Sequence, residues 1–172
     1  MADETRSPVG LRLAAGDPEA FAELYDRCAA RMLAVARALT GSAADAEDAV
    51  QQTFLDLYRS RRALGRAARP EAYAVTALRN AALRLRSRRR EEGLPVREPV
   101  GEEDVVVDEG EPALERALAR LSVEQREVVA LKVEGGLTFE EIGAALAVSP
   151  NTAASRYSYA LARLREALGG PS

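Results

Sequence analysis

The sequence contains no histidine, no tryptophan and a single cysteine. Without histidine, it lacks the most common general base, the His-activated nucleophile and the His-containing zinc sites. The one cysteine excludes an internal disulfide, and the position of Cys28 on a helical apolar stripe indicates a buried, unreactive thiol. No clustered carboxylates suggest a metal site. We therefore expect a protein that is not an enzyme, with no catalytic residues, no metal and no cofactor.

Long apolar runs are also absent. No stretch of about 18 apolar residues could cross a membrane, and the first residues, Met1 to Glu4, lack the basic start and apolar centre of a signal peptide. The sequence thus predicts a cytoplasmic chain without membrane insertion. Aromatic residues make up only 5% of the 172 residues, while Ala, Leu and Arg are abundant, which favours helices over sheets. The predicted fold class is all-α.

The net charge of −3 conceals segments of opposite sign. Residues 61–90 hold ten Arg and one Glu, whereas residues 91–112 hold nine acidic residues and one Arg. The acidic segment also has three Pro, three Gly and no helical period, so we interpret it as a flexible linker. The sequence therefore predicts two small helical domains, at 12–90 and 113–168.

Capping residues and apolar periodicity predict three helices in the first domain. Asp17 fits the N-cap of a helix that ends at Thr40, Ser42 can cap a second helix, and Pro70 begins a third after an Arg-rich loop. Three helices can enclose one small core, to which the first two contribute the apolar residues Phe21, Leu24, Tyr25, Cys28, Met32, Val35, Leu39, Val50, Phe54, Leu55, Leu57 and Tyr58.

Two polar surfaces of the first domain are candidates for binding. The first is a helix face formed by Asp45, Asp48, Gln51 and Gln52, which periodicity alone explains equally well as a solvated face. The second is the Arg run at the end of the third helix, formed by Arg84, Arg86, Arg88, Arg89 and Arg90. Cations favoured by the helix dipole occupy only the last turn. Ten Arg in thirty residues exceed that need and favour a basic patch for phosphate.

The second domain is predicted to contain four helices, including a helix-turn-helix. Two amphipathic helices span Pro112 to Leu121 and Ser122 to Val133. Thr138 and Glu141 have the spacing of a capping box, which marks the start of the third helix. Ser149, followed by a proline, fits the N-cap of the last helix.

The last helix carries two stripes. The apolar stripe, which we expect to face the core, consists of Ala153, Tyr157, Ala160, Leu161, Leu164 and Leu168. The polar stripe consists of Asn151, Thr152, Ser155, Arg156, Tyr159 and Arg163. In a helix-turn-helix, the N-terminal half of this helix enters the major groove of DNA. A plain pair of antiparallel helices with a solvated face is the alternative interpretation.

Three segments together resemble the extracytoplasmic-function sigma factors, which are promoter-specificity subunits of bacterial RNA polymerase. DAEDAVQQTFLDLYR at 45–59 is similar to the polymerase-binding helix of that family, and YAVTALRN at 73–80 is similar to its promoter-melting helix. The stretch from LSVEQREVV to ALARLREAL at 121–168 is similar to the domain that reads the upstream promoter element. The resemblance covers roughly residues 12–168.

The resemblance implies a partner for each candidate surface. Contacts with the clamp helices of the polymerase β′ subunit would come from Asp45, Asp48, Gln51, Gln52 and Phe54. The promoter element near the start site would be held by Tyr73, Arg79, Asn80 and the Arg run. The upstream element would be read by the polar stripe of the last helix. The implied partners are core RNA polymerase, including its β subunit, promoter DNA and an anti-sigma factor.

The linker length constrains how the two domains reach DNA. Twenty-two residues extend to at most about 75 Å, and two promoter elements separated by two helical turns lie roughly 70 Å apart. Polymerase must therefore hold the domains apart, and we expect the free protein to bind DNA weakly.

Five positions depart from the family pattern, of which Ala154 and Leu161 in the last helix stand where basic residues are common. Tyr73 stands where Trp is usual, Arg84 where an acid is common, and Ala147 where a turn usually has Gly. If Ala147 has a positive φ, the strain costs about 1 kcal/mol. Two other functions remain open at this point: a dimeric helix-turn-helix regulator that is not a sigma factor, and an adaptor that binds only proteins.

Overall fold

The computed structural model describes residues 7–96 and 112–169, so most of the predicted linker lies outside the described residues. The chain divides into two compact units, at 1–96 and 97–172. Every regular element among the described residues is a helix. This confirms the all-α prediction and the division into two helical units.

The described part of the first unit contains five helices where the sequence predicted three. These are α1 (Pro8–Ala15), α2 (Pro18–Thr40), α3 (Ala43–Arg59), α4 (Arg61–Leu64) and α5 (Pro70–Glu91). Helix α1 was missed although its signals are present: the Ser7 hydroxyl accepts a hydrogen bond from the Gly10 amide at 3.1 Å, and Gly16 ends the helix at φ 79°. Helix α4 lies within the predicted Arg-rich loop and, at four residues, is too short to show a period.

Helix α1 is fixed by close backbone packing and by one arginine. A Cβ on Gly10 would lie 2.5 Å from the Gly65 carbonyl oxygen just after α4, so α1 approaches closely only because both residues are glycine. The Arg12 guanidinium donates to Asp17 Oδ2 at 2.6 Å and to Glu23 Oε1 at 3.0 Å on α2. The hydrogen bond from Arg12 also lowers the pKa of the Asp17 carboxyl. These contacts place α1 against α2 and α4.

Helices α2, α3 and α5 enclose the core of the first unit. The larger buried side chains include Leu24, Met32, Val35, Leu57, Val75 and Leu78, and they are interleaved with buried alanines on all three helices. The prediction was wrong for Tyr25, Leu55 and Tyr58, which are at least half exposed. Leu55 lies two positions from buried Thr53 and buried Leu57, about 200° around the helix, and so points outward.

Cys28 has the buried environment that the sequence predicted. This residue of α2 is buried, and its Sγ donates to the Leu24 carbonyl oxygen at 3.0 Å. Burial raises the pKa of the Cys28 thiol to about 11. The thiol therefore stays protonated and unreactive at neutral pH.

The second unit contains the four predicted helices in its described residues. These are α6 (Ala113–Ala119), α7 (Val123–Val129), α8 (Phe139–Leu146) and α9 (Pro150–Ala167). Helix α7 continues into a π-helical turn (Ala130–Glu134), so the predicted helix from 122 to 133 is present with a wider last turn. Helix α9 packs against α6 and the residues just after it through a cluster formed by Ala117, Leu121, Ala160 and Leu164.

Capping interactions fix the helix-turn-helix formed by α8 and α9. The Thr138 backbone amide donates to Glu141 Oε2 at 2.8 Å, and the Glu141 amide donates to Thr138 Oγ1 at 3.2 Å, which confirms the capping box. In the turn, Ala147 has φ 55° and ψ 42°, which is the left-handed helical backbone conformation. A Cβ on Gly143 would lie 2.8 Å from the Val148 carbonyl oxygen. The turn is therefore tight, and it has a strained residue at its start.

The strained turn makes a first prediction. Ala147→Gly is expected to stabilise α8 and α9 by about 1 kcal/mol, because glycine adopts the left-handed conformation without a steric penalty. The change is measured as the free energy of opening from hydrogen exchange of the α8 and α9 amides in the full chain. Ala144→Gly, on the exposed face of α8, is the control and should destabilise by about 1 kcal/mol. Equal destabilisation by both substitutions would contradict the prediction.

Candidate functional site

The outer face of α3 presents three of the polar residues singled out in the sequence. Asp48, Gln51 and Gln52 are exposed, and the Gln52 amide donates to Asp56 Oδ1 at 3.0 Å one turn later. Phe54 is half-buried, with its ring centroid 5.0 Å from that of Tyr25 on α2. The face thus combines an acidic and amide-rich strip with an aromatic edge.

An apolar groove runs beside this strip, between α2 and α3. Its lining includes Tyr25 and Leu33 from α2, and Val50, Phe54 and Leu55 from α3. The sequence did not predict this groove, because Tyr25 and Leu55 were expected to contribute to the core. Exposed apolar side chains next to polar ones are typical of a surface that binds another protein.

A second groove joins the outer faces of α3 and α5. Asp48, Gln51 and Gln52 line one side, and Arg84 and Arg88 line the other. Across it, Arg84 Nη2 lies 3.6 Å from Asp56 Oδ2. The acidic face of α3 and the basic face of α5 are therefore immediate neighbours.

One face of α5 is directed away from the core along its whole length. Residues at helical spacing on this face are Tyr73, Ala77, Asn80, Arg84 and Arg88, and none of them is buried. Arg79, next to this row, is half-buried and its Nη1 donates to Asn80 Oδ1 at 3.2 Å. Arg90, in the last turn, is exposed. The face carries an aromatic ring near its start and guanidinium groups toward its end.

Three predicted site residues lie elsewhere than expected. Asp45 is buried rather than exposed on α3, because its carboxylate is paired with the Arg89 guanidinium of α5. Arg86 is also buried, and its Nη1 donates to the Leu39 carbonyl oxygen at 3.2 Å. In this structure the Asp45 carboxylate is therefore covered by Arg89, and the Arg86 guanidinium is directed toward the end of α2. Arg89 is half-buried, and its guanidinium is paired with the Asp45 carboxylate inside the unit.

The polar stripe of α9 lies on the surface of the second unit. Asn151, Thr152, Ser155 and Tyr159 are exposed, with Tyr159 at 68%, while Arg156 and Arg163 are half-buried. A shallow open groove on this face is lined by Asn151, Ala154, Ser155, Ser158 and Tyr159. Ser158 was not predicted, although it lies one turn from Ala154 and three residues after Ser155.

The N-terminus of α9 is capped internally. Ser149 Oγ accepts a hydrogen bond from the Thr152 amide at 3.0 Å and lies 2.8 Å from Thr152 Oγ1. On the opposite side, the Tyr157 ring packs 5.7 Å from that of Phe139 on α8. The helix is therefore fixed at its start and along its inner side, and the polar stripe faces outward.

The described residues at 7–96 and 112–169 contain no group of three His, Cys, Asp or Glu side chains able to hold a metal ion. In the same part of the chain, no helix is long and apolar enough to cross a membrane.

Two family models match the chain. The sigma-70 region 2 model matches residues 24–92, which contain most of α2 and all of α3, α4 and α5. The sigma-70 region 4 model matches residues 112–164, which contain α6, α7, α8 and most of α9.

Similarity to curated proteins extends over nearly the whole length. RNA polymerase sigma factor CarQ of Myxococcus xanthus is 34% identical over 160 residues, which cover 90% of this chain and 92% of CarQ. The ECF RNA polymerase sigma factor SigL of Mycobacterium tuberculosis is 35% identical over 165 residues, with 88% of this chain and 90% of SigL covered. The chain belongs to the extracytoplasmic-function sigma factors of the sigma-70 family.

Solved structures agree with this sigma-factor fold. RpoE of Bartonella quintana, in a co-crystal structure with the anti-sigma factor NepR, aligns with a TM-score of 0.64 at 27% identity, covering 80% of this chain and 89% of RpoE. CnrH, in complex with the cytosolic domain of CnrY, aligns with a TM-score of 0.67 over 95% of this chain and 97% of CnrH. At 22% identity, CnrH supports the fold alone.

The family determines the activity of the protein. As a sigma factor, the chain associates with core RNA polymerase, binds promoter DNA and directs promoter-specific initiation of transcription. Sigma factors are regulatory subunits rather than enzymes. The α3 and α5 faces belong to sigma region 2, and the α9 face belongs to region 4.

Proposed function

We propose that the outer face of α3 is the surface that binds core polymerase. Asp48, Gln51 and Gln52 are exposed there, and the apolar groove lined by Tyr25 and Phe54 runs beside them. A polar strip next to exposed aromatic and aliphatic side chains has the composition of a protein interface. The clamp helices of the β′ subunit are the proposed partner, and the juxtaposition of strip and groove is the observation that supports it.

The outer face of α5 is proposed to hold the promoter element near the start site. The exposed guanidinium groups of Arg84, Arg88 and Arg90 suit phosphate contacts, and Asn80 can donate to or accept from a base. Tyr73 is only half-buried, so its ring can stack on an unpaired base, a contact worth about 1–3 kcal/mol. The face therefore combines phosphate contacts with base stacking, which suits a partly separated duplex.

The polar stripe of α9 is proposed to read the upstream element in the major groove. Asn151, Thr152 and Ser155 lie in the N-terminal half of the helix, the part that enters the groove in a helix-turn-helix. Arg156 can donate two hydrogen bonds to one guanine, the most common base-specific contact. Tyr159 and Arg163 continue the same face toward the flanking DNA backbone.

An anti-sigma factor is proposed as a further partner. RpoE, to which this chain is similar over 80% of its length, was crystallised with the anti-sigma factor NepR. The apolar groove beside α3 offers a surface that such a protein could cover, which would block the proposed polymerase contact. Because the partner of a sigma factor is RNA polymerase, we place the protein in the cytoplasm. A dimeric regulator that is not a sigma factor is disfavoured by the match to sigma region 2.

The polymerase-binding proposal is tested with Asp48→Arg. Reversal of this exposed charge is expected to weaken binding to core polymerase by at least about tenfold, which corresponds to about 1.4 kcal/mol. The dissociation constant is measured with fluorescently labelled protein and purified core enzyme. Asp26→Arg makes the same charge change on the exposed side of α2, outside the groove, and should bind like the wild type. Core binding retained by Asp48→Arg would contradict the proposed surface.

The promoter-reading proposal is tested with Arg156→Ala. Loss of this guanidinium is expected to weaken binding of the polymerase holoenzyme to the upstream element by about 1–3 kcal/mol and to relax base preference at one position. Affinity is measured on promoter fragments with each base varied in turn. Arg165→Ala removes the same charge from the exposed last turn of α9 and should leave base preference unchanged. Identical base preferences for Arg156→Ala and wild type would rule out the proposed contact.

A further inference from the structure

The last turns of α5 are held in a different way from the rest of the helix. Up to Ala82, the inner side of α5 is packed with buried apolar residues such as Val75 and Leu78. After Ala82, Arg86 is the only residue of the helix that is buried. Helix ends without apolar packing fray readily, since local opening costs least where few buried contacts are lost. Leu83 and Leu85 in these turns are only half-buried, so residues 83–91 need a further interaction to stay packed against the unit.

Two arginines one turn apart supply that interaction. Arg86 donates from Nη1 to the carbonyl oxygen of Leu39, in the last turn of α2, at 3.2 Å. The last four carbonyl groups of a helix have no partner within it, so this bond satisfies an acceptor at the end of α2. Arg89 pairs with Asp45, the third residue of α3. The two side chains thus join the end of α5 to the corner between α2 and α3.

The ion pair between Asp45 and Arg89 lies where solvent weakens it less than at the surface. The Asp45 side chain is 8% exposed and that of Arg89 is 32% exposed, so water screens the two charges less than at the surface. The positive end of α3 also favours a carboxylate in its first turn. A charge pair of this kind is costly to break from one side, because the remaining partner stays buried without its counter-ion.

We propose that Asp45 is a positioning residue for promoter DNA and not a contact for polymerase. Through Arg89, it holds the last turns of α5 in helical register, so that Arg84, Arg88 and Arg90 are presented to phosphate at fixed spacing. The five-arginine run therefore divides into two classes: Arg86 and Arg89 anchor the helix end internally, and the other three form the DNA surface. This inference rests on the proposed role of the α5 face in promoter binding.

The test measures two quantities on the same variants, the lifetime of the promoter complex and the affinity for core polymerase. Asp45→Asn removes the charge but keeps the shape, and it is assembled with saturating core polymerase on a promoter fragment that the wild-type holoenzyme transcribes. The lifetime of the complex after heparin challenge should fall about tenfold, which corresponds to about 1.4 kcal/mol. The affinity for core polymerase should stay within about twofold of wild type. Asp26→Asn makes the same chemical change at an exposed site and should alter neither quantity.

A second variant keeps the test decisive if Asp45→Asn does not fold. Arg89→Gln breaks the pair from its more exposed side and should shorten the lifetime to a similar extent. The double variant should be no worse than either single variant, because both act through one contact. Additive losses, or a parallel loss of core affinity in both single variants, would overturn the inference.

Arg88→Ala separates failure of this inference from failure of the proposed DNA surface. If Arg88→Ala shortens the complex lifetime and the Asp45 and Arg89 variants do not, the positioning role is wrong and the DNA surface stands. If Arg88→Ala also leaves the lifetime unchanged, the proposed DNA surface is wrong, and the inference is overturned with it.

Discussion

Close packing of α2, α3 and α5 through small side chains determines what the first unit can present. Buried alanines line all three helices, among them Ala36, Ala46, Ala49, Ala74 and Ala82. Because alanine fills little volume, the backbones approach closely, and the long polar side chains of α3 and α5 have room only on the outside. The two outer faces consequently meet at one groove, where Asp48 faces Arg84. The proposed polymerase surface and the proposed DNA surface thus lie side by side on one small core.

Local signals in the sequence were sufficient for most of the helices. The Asp17, Ser42, Thr138 and Ser149 caps all form, because an N-cap depends only on residues within one turn. Helix α1 carried the same kind of signal in Ser7 and was missed. Helix α4 carried no usable signal, since four residues cannot show an amphipathic period. The function of a sigma factor was indicated by the resemblance of three sequence segments to that family, and the family models and relatives show it.

Contacts between distant residues were beyond sequence reasoning. Asp45 and Asp48 are one helical turn apart and chemically identical, yet one is buried against Arg89 and the other is exposed. That difference depends on where α5 crosses α3, because Arg89 lies 44 residues after Asp45 in the chain. Tyr25 was misplaced for the same reason: periodicity gives the inner face of a helix but not the width of the neighbouring helix that covers it. Leu55 is different, because helical geometry already places it opposite buried Leu57. The apolar groove arises from that incomplete cover.

We infer that the two small units read one promoter only when polymerase sets their separation. This inference is tested most directly by runoff transcription with purified core polymerase on a pool of genomic fragments, paired with footprinting of the fragments that respond. We predict transcripts that depend on this chain, and protection of two separate elements by the holoenzyme but not by the free chain at the same concentration. Absence of chain-dependent transcripts, or protection of a palindrome by the free chain alone, would show that this inference is wrong.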